Sequence, residues 1–187
     1  YDPYVAEFFF GGPCIIVEGD TEYSAFRYVL EHATGLPGSV HIIRARGKAT
    51  IVPLMKILNQ FGTTYGVLHD TDTPLTKSGK KNGAWTMNEA IMKTAALAPN
   101  PELVRVIASI KNFESAFLGE EVSEEKPYNA IERLKEDPAK RDTIAALLRA
   151  LVDGAAPVPA GAVMWTDLED LSKHVPNEAA TEPDPVG

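Results

Sequence analysis

Between residues 14 and 110 short apolar runs alternate with stretches whose apolar residues recur at helical spacing, and this alternation limits the fold more than any other feature. Residues 14–17 (Cys14-Ile15-Ile16-Val17) follow Gly11-Gly12-Pro13 and predict a short buried strand. Residues 40–43, 65–69 and 103–110 predict further strands; in the last, Val104, Val106 and Ala108 alternate with Arg105 and Ile107. Tyr23, Phe26, Leu30 and Ala33 mark one helix face that stops at Gly35. Ile51, Leu54, Met55, Leu58 and Phe61 mark a second that ends at Gly62. Thr86-Met87-Asn88-Glu89 fits a capping box and predicts a helix running to about Leu97. Strands joined by helices pair as parallel neighbours, so the expected fold is α/β, a mostly parallel sheet flanked by helices on both faces. Sheets of this kind take their ligands beyond the carboxyl ends of the strands.

Beyond Gly119 strand signals fade. An acidic run at 120–125 precedes two predicted helices, 127–136 and 139–152, the second with Ile144, Leu147, Leu148 and Leu151 on one face. They are expected to form a small helical appendage, inserted in the sheet domain or packed beside it. Residues 162–165 are expected to return to the sheet before a short helix at 168–173. The expected organisation is therefore a sheet domain over 1–118, the appendage over 119–156 and the return over 157–177. A disordered tail rich in Glu, Pro and Ala is expected over 178–187. The polar stretch 73–83, with Lys77, Lys80 and Lys81, reads as a mobile loop.

The 187 residues suffice for one domain with a real core. No apolar run approaches the roughly 20 residues that span a bilayer, and Tyr1-Asp2-Pro3 does not open a signal peptide. A single cysteine, Cys14, excludes an internal disulfide, and with four His a structural zinc site is not expected. Cys14 reads as a buried core thiol, and the protein is expected in the cytoplasm. The chain lacks an initiator Met and opens on what reads as an apolar helix end at 5–10, which suggests a piece of a longer protein. The net charge of −8 argues against coating nucleic acid through the overall field. It leaves room for an enzyme whose carboxylates hold cations, because bound ions reverse the local sign.

Such carboxylates stand where a parallel sheet would use them. Asp70 and Asp72 follow the 65–69 run directly, and residues two apart at a strand end point the same way. Glu18 ends the first run, and Glu22 falls in the first turn of the following helix. Hard oxygen donors of this kind suit magnesium or manganese rather than zinc. Taken singly, D-x-D is a weak motif, and Glu22 could serve only to complement a helix dipole. Paired acids at two separate strand ends carry the argument.

Ile15-Ile16-Val17-Glu18-Gly19-Asp20-Thr21-Glu22 resembles the V-E-G-x-T-E signature of Toprim domains, and Val67-Leu68-His69-Asp70-Thr71-Asp72 resembles their D-x-D segment. Toprim domains occur in topoisomerases, bacterial primases, recombination mediators and the overcoming-lysogenization-defect (OLD) nucleases. The lead-in Phe8-Phe9-Phe10 and the form Asp20-Thr21-Glu22 are most similar to the OLD nucleases, and the likeness extends over roughly residues 8–118. It implies an endo- or exonuclease that cuts or nicks DNA with little sequence preference, using two magnesium or manganese ions per site. Calcium would be a non-catalytic substitute. Glu18, Asp70 and Asp72 would hold one ion at the scissile phosphate, and Glu22 with Glu114 a second. The family also uses a late lysine near the metals; Lys173 is the candidate here and Lys111 the second choice. Gly47 fits the glycine turn after the second strand. Arg44, Arg46 and Lys48 beside it, with Lys77, Lys80 and Lys81 in the loop, are the expected phosphate contacts. In the OLD family an ATPase domain lies upstream; this chain has no G-x-x-x-x-G-K-[ST], and Ser78-Gly79-Lys80-Lys81 does not supply one. DNA and that ATPase domain are the implied partners, with no membrane and with oligomerisation through other segments.

Two other readings stay open. His69-Asp70-Thr71-Asp72-Thr73 also fits the D-x-D-x-T of haloacid-dehalogenase-like phosphatases, with Asp70 as nucleophile. That motif usually opens such folds, whereas here it follows the third run and leaves Glu18 and Glu22 without a task. The alternative within the resemblance is a Toprim module of a topoisomerase, a primase or a recombination mediator that binds without cutting.

Overall fold

The computed structural model describes residues 12–76, 78–119 and 126–175. The Phe8-Phe9-Phe10 lead-in, Lys77, the acidic run 120–125 and the tail 178–187 lie outside the described residues. Its strands are β1 (Cys14–Val17), β2 (His41–Arg44), β3 (Tyr65–Asp70), β4 (Val104–Ser109) and β5 (Ala162–Met164), in the order β2-β1-β3-β4-β5. β1 to β4 pair in parallel, and β5 closes the edge antiparallel to β4. The helices are α1 (Asp20–His32), α2 (Lys48–Gln60), α3 (Gly83–Ala96), α4 (Lys126–Glu136), α5 (Pro138–Val152) and α6 (Leu168–Ser172).

Alternation along the strands builds a core on each face. Ile16, Val67 and Val106 pack on one side with Ile51, Met55 and Leu58 of α2, Trp85 and Ile91 of α3 and Leu171 of α6. Ile15, Val17, Leu68 and Ile107 pack on the other with Phe26 and Val29 of α1, Leu134 of α4 and Ile144, Leu147 and Leu148 of α5. The chain moves from β1 outward to β2, then back past β1 to β3 and on to β4. Parallel crossovers keep one hand, so this reversal of direction puts α1 on one face and α2 and α3 on the other. The point of reversal lies between β1 and β3, and ligands of open parallel sheets bind there, beyond the strand ends.

The segment 126–152 covers the α1 side of the sheet and shares its core. Gly66 on β3 makes room for it: a Cβ there would lie 2.6 Å from the carbonyl oxygen of Leu151, so any side chain would push the end of α5 off the strand. Two local expectations need correction. α3 begins at Gly83, not at Thr86, because Asn82 caps it by accepting the Ala84 N–H at 3.0 Å. The Thr86 hydroxyl instead donates to the Gly83 carbonyl within the first turn. Phe61, expected on the apolar face of α2, lies beyond its last turn and is 56% exposed. No helix among the described residues is long and apolar enough to cross a membrane.

Candidate functional site

The carboxyl ends of β1 and β3 are joined by side chains as well as by the sheet. Glu18 follows β1, and its Oε2 accepts the backbone N–H of Asp70 at 3.1 Å. Its own carbonyl accepts the N–H of Gly47 at 2.9 Å, which ties the turn after β2 to the same edge. Glu22 sits in the first turn of α1 and is buried. A Cβ on Gly19 would come 3.1 Å from Glu22 Oε2, so the missing side chain leaves that carboxylate its space. Asp70 is the last residue of β3, and its Oδ1 accepts the N–H of Phe113 at 2.9 Å. Glu114 follows in a π-helical turn at 114–118, where its Oε1 accepts the hydroxyl of Thr21 at 3.1 Å.

These residues line an open cleft of about 570 Å³, together with Asn112 and Lys126. Lys126, the first residue of α4, places its Nζ 3.3 Å from Glu114 Oε1 and is partly exposed at the mouth.

Asp72 takes a different position. The strand ends at Asp70, so the alternation expected to align the two aspartates does not extend to Asp72, which adopts a left-handed φ of 57°. Its N–H donates to the Lys111 carbonyl at 3.0 Å, and its carboxylate pairs with Lys48. Lys48 is the first residue of α2 and is buried; its Nζ also donates to the Asp70 carbonyl oxygen at 2.6 Å. The turn is held from other sides too. Thr71 N–H donates to Ser109 O at 2.9 Å, Lys111 N–H donates to Thr71 Oγ1 at 2.7 Å, and Asn88 Nδ2 donates to Thr71 O at 2.7 Å.

Crowding shows in the titration of the acids. Burial, then the charges of Glu18 and Glu114, pushes the Glu22 carboxyl up to about 7. Asp70 is held well above the usual carboxylate range, first by burial and then by Glu22 and Glu18. Burial raises Glu18 as well, against the opposing charge of Lys48. Behind the edge, burial lowers the His69 imidazole to about 3, so it is neutral when its Nδ1 meets the Asp70 carbonyl oxygen at 2.8 Å. Cys14 is fully buried, and desolvation pushes its thiol up to about 12.

The donor set suits a divalent cation in kind: carboxylate oxygens from separate strand ends, crowded at one edge where acids outnumber cations. As the side chains stand, they are turned toward backbone N–H groups, a hydroxyl and lysine ammonium groups. Among the described residues no three acidic, His or Cys side chains gather about one point. Loading an ion would therefore need these carboxylates to converge from their present positions.

The fold thus brings Glu18, Glu22, Asp70 and Glu114 into one cleft and turns Asp72 toward Lys48. Lys173 is exposed at the end of α6, and Lys111 sits in the turn after β4 with φ 67°; neither lines the cleft. Arg44 pairs with Asp20 at 2.6 Å and lies 5.4 Å from the Tyr23 ring centroid. With Arg46, Gly19, Asp20 and Gly47 it borders an adjoining hollow of about 550 Å³. Lys80 and Lys81 are exposed in the turn closed by the Leu75–Lys81 bridge. Lys48, expected at a phosphate, is instead buried against Asp72. Lys126 was missed by sequence reasoning, because no motif surrounds it and its partner Glu114 lies on a different element.

The family model described as overcoming lysogenization defect protein-like, TOPRIM domain, matches residues 9–72, a span that includes Glu18, Glu22, Asp70 and Asp72. No curated protein and no solved structure matches the chain.

Proposed function

Since the chain carries a Toprim domain of the OLD-like family, we propose that it is a metal-dependent nuclease that hydrolyses phosphodiester bonds of DNA. The observation that carries this reading is the gathering of Glu18, Glu22, Asp70 and Glu114 around one open cleft at the reversal point of the sheet. Glu18 and Asp70, with Asp72 if it leaves Lys48, would hold one magnesium or manganese ion, and Glu22 with Glu114 a second. Such ions supply a nucleophilic water at neutral pH and offset the charge on the phosphate. In the overall step water adds to phosphorus, one bridging P–O bond breaks and the leaving oxygen takes up a proton.

The chain's own groups set the frame for that step. Lys126 stands at the cleft mouth, where it can meet a phosphate oxygen once Glu114 turns to an ion. Arg44 and Arg46 border the adjoining hollow, and the loop lysines Lys77, Lys80 and Lys81 are the further candidates for phosphate contact. Groups of this type bind the backbone without reading bases, so little sequence preference is expected. A phosphatase using Asp70 as nucleophile is less well supported, because Asp70 Oδ1 is tied to the Phe113 N–H and Glu18 and Glu22 would have no role. In a longer protein an ATPase domain would precede this one.

A nicking assay on supercoiled DNA, run with magnesium, manganese, calcium or EDTA, tests the reading. Magnesium or manganese should support cutting, while calcium supports binding alone because its loose geometry positions water poorly. Cutting that persists in EDTA, or calorimetry without divalent uptake at millimolar concentration, would remove the metal from the account. Uptake of metal and DNA without cutting would leave a binding module.

A further inference from the structure

A buried ammonium group is costly unless its partners are well placed. The Lys48 side chain is only 4% exposed, and among the described residues it meets the Asp72 carboxylate and the Asp70 carbonyl oxygen. Both belong to one turn, the end of β3 that carries the D-x-D acids. The backbone of that turn is fixed by Ser109, Lys111 and Asn88. The Asp72 side chain is fixed by Lys48, which reaches it from the start of α2, across the edge where Gly47 is bonded to Glu18.

We propose that Lys48 is a positioning residue, a tethered cation that braces Asp72 in the metal-free protein and competes with a divalent ion for that carboxylate. The brace follows from the geometry alone, whereas the competition rests on the metal-binding reading given above. Lys48 therefore does two opposed things. It lets the acidic edge fold before any ion arrives, and it weakens the hold on the ion that does arrive. A residue that merely filled space at this point would do the first without the second.

The test uses the 187-residue chain as wild type, Lys48→Met, Asp72→Asn and the double variant, with thermal unfolding in EDTA and calcium calorimetry without DNA. Lys48→Met should unfold roughly 10 °C lower in EDTA, the scale expected when one partner of a buried pair is lost. It should bind calcium roughly tenfold more tightly, since a unit positive charge beside the cluster is gone. Asp72→Asn leaves the buried ammonium without its counter-charge, so adding Lys48→Met to it should raise the unfolding temperature, not lower it. Calcium binding that is unchanged or weaker in Lys48→Met overturns the competition. A double variant less stable than Asp72→Asn overturns the brace. Should Lys48→Met fail to fold, the competition is read from the calcium affinity of Lys48→Gln against wild type, again tighter without the charge. If wild type and variants all take up no calcium, the metal reading fails and the competition with it, while the Asp72→Asn comparison still judges the brace.

Discussion

The acidic edge of the sheet has two parts that handle charge in opposite ways. On one side Asp72 meets Lys48, a cation supplied by the chain itself. On the other, Glu18, Glu22 and Asp70 crowd one another; Lys48 opposes the rise of Glu18 and Asp70 but is outweighed by desolvation, and Lys126 meets Glu114 at the rim. Where the chain brings its own cation, the acid has a bonded partner. Where it does not, the carboxyls either hold protons above their ordinary range or wait for an ion from solution. The contrast suggests that the cleft is built to be completed and that the Lys48 side holds its frame.

The largest effect should come from the unsettled side. Asp70→Asn should reduce metal-dependent cutting by more than roughly 100-fold, since even outer partners of metal ligands cost 10- to 100-fold. Wild-type cutting by Asp70→Asn at matched metal would show that the two parts do not differ as described.

The stability of the metal-free protein sharpens the same contrast. The folded Glu22 carboxyl titrates near 7, above its ordinary value of 4.5. Between those values the folded state binds more protons than the unfolded one, so this group's contribution falls as pH rises from 4.5 through 7. Glu22→Gln removes that loss. In EDTA it should be more stable than wild type by up to about 3 kcal/mol above pH 7, with the gain fading below pH 4.5. Unfolding curves across this range would show it. A gain that does not depend on pH would point to packing.

A divalent ion should relieve the same crowding. Magnesium at about 100 times its dissociation constant adds about 2.7 kcal/mol to stability, a rise of roughly 5–10 °C in the unfolding temperature. Asp70→Asn should lose most of that rise.

The smallest effect belongs to the loop lysines. Changing Lys77, Lys80 and Lys81 together to Ala should lower the salt slope of DNA binding by up to about one unit per lost phosphate contact. The loss should be similar for unrelated sequences, with calcium affinity unchanged. An unaltered slope would leave Arg44 and Arg46 as the phosphate contacts.

Much of this molecule was legible before any coordinates. β1 falls on the predicted residues 14–17, because an apolar run bounded by Gly-Pro and Glu-Gly has few other uses. The acids at the ends of β1 and β3 were found because a parallel sheet exposes its carboxyl ends to ligands. The start of α3 was misread because a capping box and a nearby Asn compete for the same helix, and only the folded chain shows Asn82 in use. Asp72 was given the orientation of a strand residue because a strand's last residue is not marked in its sequence.

Periodicity and residue type were enough to determine the alternation of strands and helices, the doubly covered sheet and the identity of its edge acids, since these depend on neighbours within a few positions. Tertiary structure decided which charges meet. Lys48 reaches Asp72 across 24 positions, and Thr21 reaches Glu114 across 93. Lys126 joins the cleft only because α4 packs on the α1 side of the sheet. Such pairings follow from strand order and from the face each crossover takes, and a pattern of local hydrophobicity carries neither.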